Sequence, residues 1–508
     1  MDAADTAQLA AIVGALGAVL ALLARTRWPL LAGLAVLFAA DLALALSISE
    51  GNFRVSPALV ALGLTALVPV ATGAALLVRY PAAATPLMLA AAPFRLPLDF
   101  GSEHRFYFAL AEGGRLGRLL PVYAVLSAAA LALAWRALRG APLRSVPAAV
   151  ALPSTVFFAL AGLSLLWTND LDAGANVLAY FLFPFAGLVA VVARAPFPPW
   201  LPRVLAVIAV ALASLFAAVG LWQAATHRLL FFSPSVEVGN AYNSFFRVTS
   251  LFRDPSLYGR HLVLGIAVLL VVVLMRRLHL LFALPLIGLI WAGLYFSYSQ
   301  SSMAALFVVV LALAVFAGDH SMRTVAIVTA VVVALGGAGL VAASAGGHSV
   351  RRVTSDRSRR IELPAKVFRD HPVAGVGLGG QPLASQANSE RGGSKDRFVS
   401  HTTPLTVAAE LGVLGLLAYG ALLAGAAVLI DRVRRRDSAL GLGLAATLLA
   451  LFVHSLVYSG FFEDPLTWLI LGVASSFVLA REAAEAPLVA ATASTAILDR
   501  SSAPPPSP

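Results

Sequence analysis

His401 is followed by Thr402, Thr403 and Pro404, and then by a long apolar run. A threonine able to cap a helix and a proline suited to its first turn place this imidazole at the positive end of a helix. That environment favours neutral imidazole, the form a general base requires. Glu410 lies about two and a half turns further in. A carboxylate there needs a partner or a polar cavity, so structural pairing and support of an active site both fit. Upstream, Arg247-Val-Thr-Ser-Leu-Phe-Arg253-Asp254-Pro255-Ser256-Leu-Tyr258-Gly-Arg260-His261 runs directly into an apolar segment. Arg247 and Arg253 can reach a membrane surface, with a solvated rim as the plainer reading of Arg253. Arg260 and His261 stand at the mouth of a span, where ionisable groups tend to face a polar cavity.

The chain that must position these groups has 508 residues, of which 60% are hydrophobic and 12% charged, with a mean hydropathy of +0.87. Soluble domains carry about 25% charged residues. Long Ala/Leu/Val runs replace one-faced helices, so the expected fold is all-α: a polytopic transmembrane helical bundle. Apolar segments fall near 8–24, 28–47, 57–79, 82–98, 117–137, 145–167, 172–194, 201–222, 258–275, 279–298, 302–317, 323–343, 403–430, 439–459 and 464–480. Segment 82–98 is crowded by Pro81, Pro86, Pro93 and Pro97 and contains Arg95, which suits a re-entrant or interfacial piece. The expected count is about 12–15 spans. Residues 8–24 lack a preceding basic region, so no cleavable signal peptide is expected.

There are no cysteines, which excludes disulfides, thiolate metal sites and a cysteine nucleophile. The net charge of +11 fits the cytoplasmic ends of helices and does not call for nucleic acid. Asp431 to Arg436, Arg276-Arg277 and the stretch Arg136 to Arg144 are assigned to the cytoplasm on that rule. Counting spans outward places 223–257, 297–302 and 344–402 on the far side. The resulting division is 1–116 as N-terminal spans, 117–343 as the transmembrane core and 344–402 as an extracytoplasmic basic loop. C-terminal spans at 403–480 and a disordered cytoplasmic tail at 481–508 complete it.

Connection 344–402 holds ten Arg or Lys against five acids. It can be a solvated loop, or a loop that holds an anion, the phosphates of lipid-linked groups being the obvious anions there. Residues 357–370 can form an amphipathic surface helix, with Pro364 as a possible kink. Gly375, Gly377 and Gly380 satisfy a G-x-G-x-x-G spacing without βαβ context, so close backbone turning is the better reading than nucleotide binding. Ser297 to Ser302 reads as a polar bridge capping helix ends. Asp170-Leu171-Asp172 reads as a short turn rather than a metal-diphosphate site.

Together these segments resemble the O-antigen ligase and O-antigen polymerase family over about residues 145–480. The signature is Arg357-Ser-Arg359-Arg360-Ile-Glu362, Asp370-His371-Pro372-Val-Ala-Gly375-Val-Gly377-Leu-Gly379 and His401-Thr-Thr-Pro-Leu-Thr-Val-Ala-Ala-Glu410-Leu-Gly412, preceded by the segment from Arg247 to Ser256. The resemblance implies an undecaprenyl-diphosphate-linked glycan as donor and a glycan or glycolipid acceptor, joined on the extracytoplasmic face among membrane lipids. It implies diphosphate contacts from Arg247 and Arg357, with Arg360 as the alternative, and His401 as general base. Arg253, Arg260, His261, Arg360 and Glu410 are the candidate substrate-binding residues. Ser299-Gln300 departs from the Ser-Arg of many relatives, and the three additional N-terminal segments exceed the family's common twelve-span layout.

The implied chemistry is single displacement with inversion at the anomeric carbon. It needs a base for the acceptor hydroxyl and positive charge for the departing diphosphate, and no metal or other cofactor. A multi-span transporter or flippase for a polysaccharide lipid precursor is the alternative. It is disfavoured because no internal repeat is evident and the polar residues cluster on one face.

Overall fold

The computed structural model describes residues 3–48, 57–94, 119–231, 233–345, 359–389 and 399–501. Every regular element among them is helical. The first group comprises α1 (Ala3–Leu23), α2 (Arg27–Ile48), α3 (Pro57–Arg79), α4 (Ala84–Ala91) and α5 (Leu120–Leu138). Next come α6 (Ala148–Leu163), α7 (Leu171–Val177), α8 (Phe183–Val192), α9 (Leu201–Thr226) and the short α10 (Pro234–Tyr242). Helices α11 (Pro255–Leu274), α12 (Leu280–Ser297), α13 (Gln300–Ala317) and α14 (His320–Ala345) precede the long connection. Within and after it lie α15 (Arg359–Asp370), α16 (Gln381–Ala387), α17 (Thr403–Arg436), α18 (Ser438–Ser455) and α19 (Pro465–Ser501).

Twelve of these helical segments are long and apolar enough to cross a membrane, or thirteen if one bent pair counts as a span. Eighteen helical residues extend about 27 Å, close to the thickness of a hydrocarbon core. The bent pair, Leu67–Arg79 with Pro81–Ala91, turns through 119°. Pro81 causes the break by disfavouring helical backbone at Tyr80 and removing a donor. The second arm of this pair covers residues 82–91 of the segment expected to be re-entrant or interfacial. Helices α7 and α8 join through a π-helical stretch, Leu178–Leu182, into one crossing.

Successive crossings alternate, which gathers the connections at two ends. At one end Arg194 donates to the carbonyls of Ala24, Arg144 and Ala190, and Arg144 donates to Leu479 O at 2.8 Å. Burial draws the Arg194 guanidinium down to about 10. The exposed Arg436 pairs with Glu485 at the same end. At the other end Trp167 Nε1 donates to Ala374 O, Arg247 to Ser297 O and Tyr458 to Asp254. Near that end α6 packs on α19 and the turn before it, with Phe157 stacked on Phe462 of that turn at 4.1 Å and Phe158 against Trp468 of α19 at 4.7 Å.

One local expectation changes, the kink at Pro364. The surface helix is present as α15 and runs unbroken across Pro364, whose ring is buried. Helix α19 continues past 481 as far as Ser501.

Candidate functional site

The turn before α11 is pinned from three sides. Gln223 Oε1 accepts from the backbone of Thr249 and Ser250, while its amide donates to Ser250 O, holding Ser250 at φ +53°. Asn240 exchanges two hydrogen bonds with the backbone of Arg247, and Val248 N donates to Phe296 O. The half-buried Arg247 side chain then reaches the end of α12, with Nε donating to Ser297 O at 3.3 Å. Burial draws its guanidinium below the usual arginine range, and the Asp254 carboxylate acts in the opposite sense.

Asp254 has two tasks. One oxygen caps α11, accepting from Ser256 N at 2.6 Å and Leu257 N at 3.1 Å. The other accepts from the Tyr458 hydroxyl at 2.9 Å. The Tyr458 ring lies 6.4 Å from the His401 ring and 5.5 Å from that of His454. Asp254, which acts on Arg247 through its charge, is thus joined by Tyr458 to the neighbourhood of half-buried His401. Thr402 occupies the N-cap of α17 in extended backbone but makes no side-chain capping bond, and Thr403 Oγ1 accepts from Phe461 N at 3.4 Å. Pro404 opens the first turn, as its sequence position suggested.

Arg260 and His261 point elsewhere. Arg260 Nη1 meets Asp464 Oδ2 at 2.6 Å, with side-chain exposures of 4% and 2%. His261 stacks on Phe252 at 4.9 Å, and its Nδ1 lies 2.8 Å from Leu257 O. Beside the ion pair, buried His454 Nε2 lies 3.2 Å from both Ser301 Oγ and Ser256 O. Ser299 caps α13 and contacts the hydroxyls of Ser301 and Ser302. The serine bridge is thus a capping device joined to a buried polar layer. Half-buried Arg253 sits at the rim, with its carbonyl accepting from Ser233. Arg357 lies outside the described residues, and of Arg360 only its place on α15 is described.

Glu410 belongs to a splice between loop and helix. At Gly412 the backbone of α17 leaves helical geometry, with φ +64° and ψ −157°. Loop 371–380 fills the gap: Val376 N donates to Ala409 O, Gly377 N to Glu410 O, and Val413 N to Pro372 O. The Glu410 carboxylate in turn accepts from the backbone of Gly379 and Gln381. A Cβ on Gly375 would stand 2.3 Å from Glu410 backbone, and one on Gly412 would stand 2.2 Å from Val373 O; both glycines also have positive φ. The same loop is held from the α6–α7 side by Thr168 Oγ1 to Leu378 O and by Ser164 Oγ, which accepts from Leu378 N. Asp170 caps α7 through Ala173 N, and no cluster of three or more potential metal ligands occurs among the described residues.

Sequence reasoning did not single out Gln223, His454, Tyr458 or Asp464. His454 within an apolar run and Asp464 just before Pro465 carried the available signal, because intramembrane ionisable groups are uncommon.

An all-α membrane protein with a polar constellation gathered at one end of its bundle is thus defined. Residues 285–420 match the family model Wzy_C, described as O-antigen ligase. The chain carries an O-antigen ligase family domain and is a glycan-handling membrane enzyme. No curated protein is similar enough to match it.

Proposed function

We propose that the protein transfers a glycan from an undecaprenyl-diphosphate-linked donor to an acceptor hydroxyl at the end of the bundle holding Arg247 and His401. The observation that carries this reading is the hydrogen bond from Tyr458 to Asp254, which brings the turn that presents Arg247 to the neighbourhood of His401 at the mouth of α17. The family match, which spans the position of His401, supports glycan chemistry. In this reading His401 takes the proton from the acceptor hydroxyl as its oxygen attacks the anomeric carbon. The bond from that carbon to the diphosphate oxygen breaks, and lipid diphosphate leaves with inversion at the sugar. Arg247 and Arg357 or Arg360 offset the charge on the departing oxygens. Arg253 serves as a rim contact. Arg260, His261 and Glu410 act through the scaffold, because their described partners lie within the bundle.

The carbonyl-clamping arginines and exposed Arg434–Arg436 support a cytoplasmic assignment of the opposite end by charge bias. Single cysteines at Gly347 and Ser394, which lie outside the described residues, and at exposed Val373 should therefore react with an impermeant thiol reagent in intact cells, while one at exposed Ser438 should not. Labelling of Ser438→Cys alone would reverse the orientation and the assigned reaction face.

Reconstituted protein, a defined lipid-diphosphate glycan and competing acceptors test the activity, with product size separating single transfer from polymerisation. Arg247→Ala should lower donor use by roughly 10- to 100-fold, the scale of a charge-assisted hydrogen bond, and Arg247→Lys should restore part of it because an ammonium lacks the planar fork. Chelator should leave most wild-type activity if guanidinium groups supply the positive charge. Complete inhibition reversed by added metal would replace the arginine-only mechanism.

A further inference from the structure

Tyr458 lies between α18 and α19, beyond the family match at 285–420. Its backbone N donates to His454 O, its hydroxyl donates to Asp254 Oδ2 at 2.9 Å, and its ring packs between those of His401 and His454. One side chain thereby joins the mouth of α17, the end of α18 and the turn that presents Arg247. The hydroxyl and the ring do separate things. The hydroxyl engages the carboxylate oxygen left over from capping α11, so both Asp254 oxygens are directed. That fixes a negative charge close enough to act on Arg247. The ring walls one side of the His401 imidazole.

We infer that Tyr458 is a positioning residue for glycan transfer, setting the candidate base against the candidate diphosphate-binding arginine. This rests on the glycan-transfer reading. It predicts separable defects. Tyr458→Phe keeps the wall but releases Asp254, and should lower kcat about 10-fold with donor KM within about twofold. Tyr458→Ala removes both and should lower kcat about 100-fold, the scale of a misplaced reacting group. Asp254→Ser keeps a cap for α11 but withdraws the oxygen that Tyr458 engages. If the hydroxyl acts through Asp254, the double variant Tyr458→Phe/Asp254→Ser should be no slower than Asp254→Ser alone.

A second measurement is independent of turnover. The rate at which diethyl pyrocarbonate modifies His401, followed on its own peptide by mass spectrometry, should rise about fivefold or more in Tyr458→Ala and stay within about twofold in Tyr458→Phe. A wild-type protein without transfer activity, but with this pattern of His401 reactivity, would remove the glycan reading and leave the positioning intact. Turnover of Tyr458→Ala within about threefold of wild type, effects that multiply in the double variant, or unchanged His401 reactivity in Tyr458→Ala would each overturn the inference.

Discussion

His401→Ala should yield a folded protein that still binds the lipid-linked donor and transfers its glycan at least roughly 100-fold more slowly, the lower scale of general-base assistance. The fold should survive because the ring is half-buried at the bundle's mouth, while the helix below it is anchored by the Gly412 splice. Donor binding should survive because the diphosphate is assigned to guanidinium groups on other elements. Transfer and donor binding therefore have to be measured on the same reconstituted samples. Wild-type turnover by His401→Ala removes the assigned base. Loss of donor binding in parallel with turnover moves the histidine from proton transfer to substrate holding.

The second large effect concerns Asp464. Removing its carboxylate in Asp464→Ala strands the Arg260 guanidinium at 4% exposure inside an apolar bundle. Breaking one side of a buried ion pair costs about 3–5 kcal/mol, because the remaining charge has lost its compensation. Arg260 Nε already lacks a hydrogen-bond partner, and the Asp464 carboxylate is the anion that its Nη1 meets. Thermal unfolding in detergent should show a markedly less stable protein. Replacing both partners, as in Arg260→Met/Asp464→Leu, should recover most of that stability, since well-packed apolar groups often substitute for buried pairs at little cost. The double variant also separates scaffold from substrate contact. Stability with activity confirms Arg260 as scaffold, whereas stability without donor use places it against the substrate.

The two predictions differ in how far their residues could be read from sequence. His401 announced itself through the Thr-Thr-Pro pattern and the change from a polar loop to an apolar run. The spans were equally legible: the predicted 201–222 and 279–298 correspond to helices Leu201–Thr226 and Leu280–Ser297. Arg260 was visible as a charge at a helix mouth, but its partner lies 204 residues away, and pairing across such a separation leaves no local signal. Tyr458 was harder still, because one tyrosine in a turn is ordinary until Asp254 is placed opposite it. For Glu410, depth in a span left structural pairing and support of an active site both open; its carboxylate accepts from backbone amides of a loop that sequence could describe only as glycine-rich.

The splice at Gly412 bears on how such a protein can be recombined. Residues 371–381 and 403–415 share backbone hydrogen bonds across the break, and residues 164–174 hold the outer side of the same loop. These three segments are distant in sequence yet form one hereditary unit in mechanical terms. A chimera that exchanged the loop alone would arrive with unmatched amides and carbonyls at both borders. Exchange of all three segments together carries the complementary edges with it, making the triplet, rather than the loop, the natural cassette for exchange between homologous frameworks.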